Sequence, residues 1–178
     1  MKNILQLCLA ILLVSISVPA VYAAPASRIQ ASYDVMGYGF KLIAVSETYT
    51  RTQDQYQIES VSKAVGLLAR FKPEVIRTNS KGVITAQGLR PLSYSSQREL
   101  DTQRNTSARF NWDDNTILHK DYQGERSAAL PAGTQDRLSA MYQFQFLPLH
   151  SMNEVKLTIS NGRDLDHYSY QITPEQSV

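Results

Sequence analysis

Cysteine is almost absent from this 178-residue chain, which contains only Cys8. A single thiol excludes an internal disulfide framework and any metal cluster that needs several cysteines. An excess of charge of one sign is also missing, because 18 Lys and Arg face 16 Asp and Glu, for a formal net charge of +2. This balance excludes the usual kind of nucleic-acid-binding protein, which needs a dense positive surface to neutralise phosphates.

Known catalytic signatures are missing as well. The sequence has no nucleophile elbow, zinc-protease helix motif, phosphate-binding loop or dinucleotide fingerprint. Ser60-Val61-Ser62-Lys63 has the Ser-x-x-Lys spacing, but on a strand residues three apart face opposite ways. Asp164, Asp166 and His167 resemble a metal cluster, yet His167 would face away from the two carboxylates. We therefore expect no metal, no cofactor and no catalytic residue.

The chain lacks an apolar run long enough to span a membrane. The run from 4 to 18 is roughly 15 residues, short of the ~20 that a spanning helix needs. Lys2 precedes it, and Val21-Tyr22-Ala23 places small residues at the positions that a signal peptidase reads. We expect a cleavable signal peptide over residues 1–23, a single domain over 24–178, a periplasmic location and no stable membrane span after cleavage.

Alternation of apolar and polar residues with a period of two dominates the rest of the chain. It predicts strands over 29–35, 40–51, 56–63, 71–78, 83–87, 92–100, 106–112, 116–122, 126–130, 155–159 and 163–172. We expect a hairpin turn at Asn79-Ser80-Lys81-Gly82, a chain break at Gly88-Leu89-Arg90-Pro91 and a type I′ turn at Asn161-Gly162. A bend or short helical turn is expected over 64–70.

The period changes to that of a helix over 136–146, where Leu138, Met141 and Tyr142 share a face. Thr134 or Asp136 can cap its N-terminus, and a proline follows its end. Ten or eleven strands joined by short turns predict a mainly β fold: a curled antiparallel sheet or partly open β-barrel. The one α-helix would lie across its open side or mouth.

The start of this helix carries the candidate site. Backbone N–H groups at a helix N-terminus favour an anion, so a ligand or partner site is possible at the barrel mouth, formed by the polar loop and helix residues Thr134, Gln135, Asp136, Arg137 and Tyr142. The structural alternative is a helix cap, in which Asp136 accepts N–H bonds and Arg137 forms an outward-facing ion pair. The 10 Tyr of the chain allow a similar pair of interpretations, as the lining of an amphipathic cavity or as good strand residues.

Four stretches carry a family resemblance: Tyr33-Asp34-Val35, the pair 80–84 and 88–91, Phe110-Asn111-Trp112, and 130–139. Through them the chain resembles the exported bacterial family named domain of unknown function 3108. The resemblance implies a periplasmic or secreted protein with a barrel-like sheet, similar to the lipoprotein carriers whose open barrels hold acyl chains. It implies no activity and transfers no site residue. Family members usually continue past Asn161-Gly162 with further strands, so we expect either that the C-terminal closing strands are missing here or that this member is short.

We therefore expect a non-enzymatic binding module for an apolar or amphipathic ligand of the cell envelope, a lipid being one possibility. The alternative is an envelope assembly or structural factor that contacts a protein partner through an exposed sheet edge. A hydrolase is a third class, and it requires His119, His150 or His167 near a serine or carboxylate in a cleft. Nucleic acid is not an expected partner.

Overall fold

The computed structural model describes residues 27–173, which form eleven strands and two short helices. The strands are β1 Arg28–Gly37, β2 Phe40–Thr52, β3 Gln55–Ala64, β4 Val75–Thr85, β5 Gly88–Arg98, β6 Thr106–Asn111, β7 Thr116–Asp121, β8 Gly124–Ala129, β9 Gln135–Asp136, β10 Glu154–Ser160 and β11 Leu165–Gln171. The helices are α1 Gly66–Phe71 and α2 Ser139–Gln143, and short 3₁₀ turns cover Thr102–Arg104, Phe144–Phe146 and Leu149–Ser151. The predicted signal peptide lies outside the described residues.

Strands β1 to β8 form one antiparallel sheet in chain order, and β9 to β11 form a smaller sheet in the order β11-β10-β9. Strand β9 runs parallel to β10, with Ile159 opposite Gln135. Within residues 27–173, β1 and β8 do not pair with each other, so the large sheet is not closed. The prediction of a mainly β, antiparallel and unclosed fold is confirmed. Neither helix is long or apolar enough to cross a bilayer within these residues.

Antiparallel pairing divides the turns of the large sheet between its two ends. One end, called the mouth end here, holds the β2–β3, β4–β5 and β6–β7 turns. The other, called the tip end, holds the β1–β2 turn, α1 and the connection from β5 to β6. The two ends lie a full strand length apart, roughly 30 Å for a ten-residue strand.

One face of the large sheet, called the inner face here, is covered by the last third of the chain. Ile58 of β3 lies opposite Ser80 of β4, which lies opposite Tyr94 of β5, and all three side chains are buried. Leu138 packs against both hydrophobic clusters of this face, and so joins them. These clusters consist of Tyr49, Tyr56, Ile58 and Leu89 in one, and Tyr94, Ala108, Phe110, Ile117 and Leu130 in the other. Full burial of one such aliphatic side chain stabilises the fold by about 1.5–3 kcal/mol.

The hairpin turn predicted over 79–82 is wrong. Strand β4 runs through this segment, and the chain reverses between Thr85 and Gly88, which has a φ of 104°. Ser80 and Gly82 are both buried on the inner face, at the alternate positions that a strand requires. Composition favours a turn here, but the burial of every second residue favours the strand and decides the structure.

Gly82 is needed for a close approach and not for a turn. A β-carbon at this position would lie 2.7 Å from the Tyr56 ring and 2.9 Å from the Cα of Pro91, and would collide with the Arg90 carbonyl oxygen. A β-bulge between Lys81 and Gly82 places Pro91 opposite this glycine. The break predicted over 88–91 is therefore also wrong, because β5 begins at Gly88 and passes through Pro91.

Two further predictions differ in detail. The helix predicted over 136–146 is a single short helix, α2, followed by a 3₁₀ turn, since Gln135 and Asp136 pair as a strand with β10. The hairpin at Asn161-Gly162 is present, but its loop has four residues and only Gly162 has a positive φ, of 88°. It is therefore not a type I′ turn. The helical turn expected over 64–70 is confirmed as α1.

We predict that Gly82→Ala destabilises the protein by about 1–3 kcal/mol, because the backbone of Arg90 and Pro91 would have to shift. The neighbouring exposed substitution Lys81→Ala is the control and changes stability by less than ~0.5 kcal/mol. Urea unfolding followed by circular dichroism measures both. Equal stabilities for the two variants would show that the close approach at Gly82 does not constrain the fold.

Candidate functional site

The five predicted site residues do not share one surface. Thr134, Gln135 and Asp136 are buried, with side chains at most 2% exposed. Arg137 is exposed and forms no ion pair within residues 27–173, and Tyr142 is half-buried. The loop that enters the helix is thus inserted into the inner face and does not lie across an open mouth. This insertion follows from the pairing of β9 with β10, which makes Gln135 and Asp136 the edge strand of the smaller sheet.

Asp136 is held by four hydrogen bonds and no cation. Its Oδ2 accepts the Ser80 hydroxyl at 2.5 Å, and its Oδ1 accepts the backbone N–H groups of Leu138 and Ser139, each at 2.9 Å. Its own N–H donates to the Ser139 hydroxyl at 2.8 Å. Because Ser80 gives its proton to Asp136, the Tyr56 hydroxyl is the donor in the 3.3 Å contact between Tyr56 and Ser80. Asp136 thus accepts the N–H groups that lead into α2, as the cap alternative expects, but Leu138 occupies the N-cap position and Arg137 forms no ion pair among the described residues.

Burial dominates the electrostatics of this carboxylate. Desolvation raises the pKa of Asp136 to about 6, and the hydrogen bonds from Ser80 and from the backbone limit the rise. Burial raises the pKa of the nearby Tyr94 to about 12, and the negative charge of Asp136 contributes to this rise. The N–H groups that could receive an anion are occupied by Asp136, so an external ligand must use other groups.

Tyr142 fastens α2 to strand β2. Its hydroxyl donates to Glu47 Oε1 at 2.9 Å, and its ring stacks on Tyr49 with centroids 4.9 Å apart. Burial and this carboxylate together raise the pKa of Tyr142. Tyr142 therefore contacts the protein's own sheet and holds the last third of the chain in place.

Gln135 is the predicted residue that borders open space. It lines a cavity of about 340 Å³ at the mouth end, called the mouth cavity here. Its Nε2 donates to the carbonyl oxygens of Leu89 (2.8 Å) and Gly133 (3.3 Å), and these two acceptors determine the orientation of the amide. Its Oε1 is buried and receives no hydrogen bond within residues 27–173. An unpaired buried acceptor costs about 1–3 kcal/mol, so a donor at this position would stabilise the protein.

Arg90 and Trp112 form the outer wall of the mouth cavity. The Arg90 guanidinium lies 5.0 Å above the centre of the Trp112 ring, and the Trp112 indole N–H donates to the Pro91 carbonyl at 2.6 Å. Both side chains also line an adjoining cavity of about 260 Å³. Arg90 is exposed and forms no ion pair with any other described residue. The wall thus offers an aromatic surface and an available positive charge.

A second glutamine stiffens the same end of the sheet. Gln143 of α2 accepts the Leu89 N–H at 2.7 Å through Oε1 and donates to the Gln87 carbonyl at 2.8 Å through Nε2. Both backbone groups of Leu89 are therefore bonded to glutamines of the inserted segment. The cavity has walls that are fixed before any ligand arrives.

Pattern reasoning on the sequence did not single out Arg90 or Trp112 as site residues. A signal was nevertheless present, because both lie in stretches that carry the family resemblance, 88–91 and 110–112. A third such stretch, 130–139, supplies Gly133 and Gln135. The structure brings these three separate stretches together around the mouth cavity.

The histidines do not form the accessible catalytic arrangement that a hydrolase requires within the described residues. His119 and Ser160 lie 3.1 Å apart, but both are buried, with exposures of 3% and 0%. Burial lowers the pKa of His119, and no carboxylate is hydrogen-bonded to its ring within residues 27–173. The pair connects β7 to β10. His167 bonds to Thr158, and no group of three or more metal-ligating side chains forms in the described part of the chain.

Comparison with known proteins gives one match. A family model described as a protein of unknown function (DUF3108) matches residues 28–178. No curated protein and no solved structure matches the chain. The expected resemblance is therefore confirmed over nearly all of the chain that follows the predicted signal peptide.

We predict that Asp136 makes the stability of the protein depend on pH. The pKa of Asp136 is about 6 in the folded protein, compared with an ordinary value of 3.8. The protonated carboxyl group therefore contributes fully to the free energy of unfolding below pH 4, and this contribution is lost as the pH rises through 6. The loss amounts to roughly 3 kcal/mol. The free energy of unfolding, measured with urea at several pH values, should therefore fall between pH 4 and 7 relative to that of Asp136→Asn.

The comparison with Asp136→Asn cancels the contribution of His119, whose lowered pKa acts in the opposite direction. Ser80→Ala supplies a second check, because removing the donor that lowers the pKa of Asp136 should move the transition to higher pH. A constant difference between the parent and Asp136→Asn from pH 4 to 7 would contradict the assignment.

Proposed function

We propose that this chain, which belongs to the DUF3108 family of proteins of unknown function, is a non-enzymatic binding module of the bacterial periplasm. Its ligand is apolar or amphipathic and occupies the mouth cavity. The observation that carries the proposal is the unpaired Oε1 of buried Gln135 beside the Arg90–Trp112 wall.

The chemistry of the cavity matches an amphipathic molecule. Leu89 and Trp112 offer apolar surface, Gln135 offers an acceptor for a hydroxyl or amide N–H, and Arg90 offers a positive charge for an acidic group. The volume of about 340 Å³ is near the lower end of the ~300–1,000 Å³ usual for ligand sites. A polar head group with the first part of an apolar chain fits this space.

Two further points support a carrier-like role. The family resemblance implies a likeness to periplasmic lipoprotein carriers, whose open barrels hold acyl chains. In this chain the inner face is filled by the protein's own residues 130–146, so the ligand would lie at the mouth and not inside the sheet. The buried His119–Ser160 pair gives a substrate no access, which favours binding over hydrolysis.

The sheet edge supports a second candidate function, that of an envelope assembly factor. Strand β1 pairs with β2 on one side and has no partner on the other within residues 27–173. An unpaired edge of ten residues can accept a strand from another protein. Crosslinking in intact cells separates the two functions, because a specific protein adduct through β1 is expected only of an assembly factor.

We predict saturable binding of short-chain lysophosphatidylglycerol, whose hydroxyls can donate to Gln135 and whose phosphate can pair with Arg90. Trp112 is the only tryptophan of the chain and lies in the cavity wall, so its fluorescence reports occupancy. Arg90→Ala should weaken binding about tenfold or more, as expected for loss of a charged hydrogen bond. Native mass spectrometry with lipid extraction of the exported protein should reveal a bound amphiphile.

The matched control is Arg109→Ala, which removes an exposed arginine from the outer face of β6. It should leave the affinity unchanged, and thermal unfolding should show that both variants remain folded. Absence of a saturable Trp112 signal, or equal affinities for Arg90→Ala and Arg109→Ala, would overturn the proposal.

A further inference from the structure

We propose that the tip end of the sheet docks onto the surface of an anionic phospholipid bilayer. The docking surface, called the apolar tip here, joins the β1–β2 turn to helix α1. It consists of five exposed side chains: Met36, Tyr38, Phe40, Leu67 and Phe71. Their exposed fractions run from 59% for Met36 to 99% for Tyr38. Large apolar side chains grouped in this way mark an interaction site more often than scattered ones do.

The two parts of the apolar tip are joined by direct contact. The Val65 N–H, just before α1, donates to the Leu42 carbonyl at 2.9 Å. Gly66 approaches the Lys41 carbonyl so closely that a β-carbon would lie 3.3 Å from it. The helix is therefore anchored beside the β1–β2 turn, and both project from the same end of the sheet.

Tyr38 occupies a backbone conformation that tyrosine rarely adopts. Its φ is 52° and that of Gly39 is 80°, so the chain reverses through a turn that favours asparagine or glycine at both positions. A bulky residue in the left-handed region costs free energy that an asparagine would save. A fully exposed tyrosine at the apex is explained if its ring contacts something outside the protein.

Charge around the apolar tip identifies the surface it fits. The acidic groups of the β1–β2 hairpin, the α1–β4 connection and the β5–β6 connection, which lie closest to the apolar tip along the chain, are paired: Asp34 with Lys41, Glu74 with Arg98, Glu99 with Arg77 and Asp101 with Arg104. Lys63, Arg70 and Lys72 form no ion pair within residues 27–173. Arg70 and Lys72 flank the exposed Phe71 directly. Apolar side chains surrounded by uncompensated cations match the interface of an anionic bilayer.

A groove beside the apolar tip has matching chemistry. It encloses about 640 Å³, mainly on the outer face of β1 to β4, and includes Lys41, Lys63 and Arg77 together with Ala44 and Val61. Lys41 pairs with Asp34 and Arg77 pairs with Glu99, whereas Lys63 has no acidic partner among the described residues. A lipid phosphate drawn toward the groove would meet positive charge at its entrance.

The same charges disfavour a second copy of the chain as the occupant. Association of two apolar tips would bring Arg70 and Lys72 of one molecule toward the same residues of the other, which is repulsive. A bilayer that contains phosphatidylglycerol supplies the opposite charge. The apolar tip and the mouth cavity lie at opposite ends of the sheet, so the two sites can be tested independently.

Sedimentation of the exported protein with vesicles tests the inference. We expect binding to vesicles of phosphatidylglycerol and phosphatidylethanolamine, weak binding to phosphatidylcholine alone, and loss of binding at high salt. Arg70→Glu/Lys72→Glu should reduce partitioning into anionic vesicles at least about tenfold, as expected for about 1 kcal/mol per charge near such a surface. Tyr38→Asp/Phe71→Asp should reduce it on both kinds of vesicle.

Matched controls carry the same changes elsewhere. Lys81→Glu/Arg109→Glu alters the net charge equally on the outer face of β4 and β6, and Met141→Asp alters an exposed apolar residue of α2. Both should bind vesicles as the parent does. Equal loss in the control pair, equal binding to neutral and anionic vesicles, or a concentration-dependent dimer abolished by Tyr38→Asp/Phe71→Asp would overturn the inference. Binding of lysophosphatidylglycerol at Trp112 should be unchanged in every tip variant.

Discussion

Covering the inner face of a sheet that does not close on itself is the constraint on which the rest of this structure depends. Two hydrophobic clusters lie on that face, and the chain's own residues 130–146 join them through Leu138. Between the clusters lies the buried Ser80, whose hydroxyl needs a hydrogen-bond acceptor because it is shielded from water. Asp136 meets this need, and the N–H groups of Leu138 and Ser139 stabilise its carboxylate in turn.

This arrangement couples an electrostatic cost to a packing gain. A carboxylate buried without a cation is unfavourable, which is why its pKa is raised to about 6. The segment that carries it also places Leu130 and Ala140 in the core and bonds both backbone groups of Leu89 through Gln135 and Gln143. The buried apolar surface outweighs the cost, and the mouth cavity becomes a rigid space bounded by β5 and the inserted segment.

Filling of the inner face also determines where this protein can make contacts. A half-barrel with an empty interior would bind its ligand between the walls, but here side chains of the same chain occupy that region. Contact with other molecules is then left to the two ends of the sheet and to the unpaired edge of β1. The mouth end presents polar groups, an arginine and the single tryptophan, whereas the tip end presents exposed apolar side chains between uncompensated cations. Ends of such different chemistry suit two different tasks.

The sequence by itself determined most of the strands, with β4 and the two-residue β9 as exceptions, because alternation with a period of two reflects a purely local geometry in which successive side chains face opposite ways. It also indicated the family and the N–H bonds that Asp136 accepts, both of which depend on short stretches. The hairpin turn predicted at Gly82 was wrong because this glycine serves a close approach instead. Its neighbours Pro91 and Tyr56 contact it only after β3, β4 and β5 have paired. The observed helix is shorter than the one predicted over 136–146 for a similar reason. Pairing of Gln135 with Ile159 makes the start of this segment a strand, although the local sequence has a helical period. The assembly of the site was decided by tertiary structure: Arg90, Trp112 and Gln135 lie far apart in sequence, and no local pattern records that antiparallel pairing will bring them to one end of the sheet.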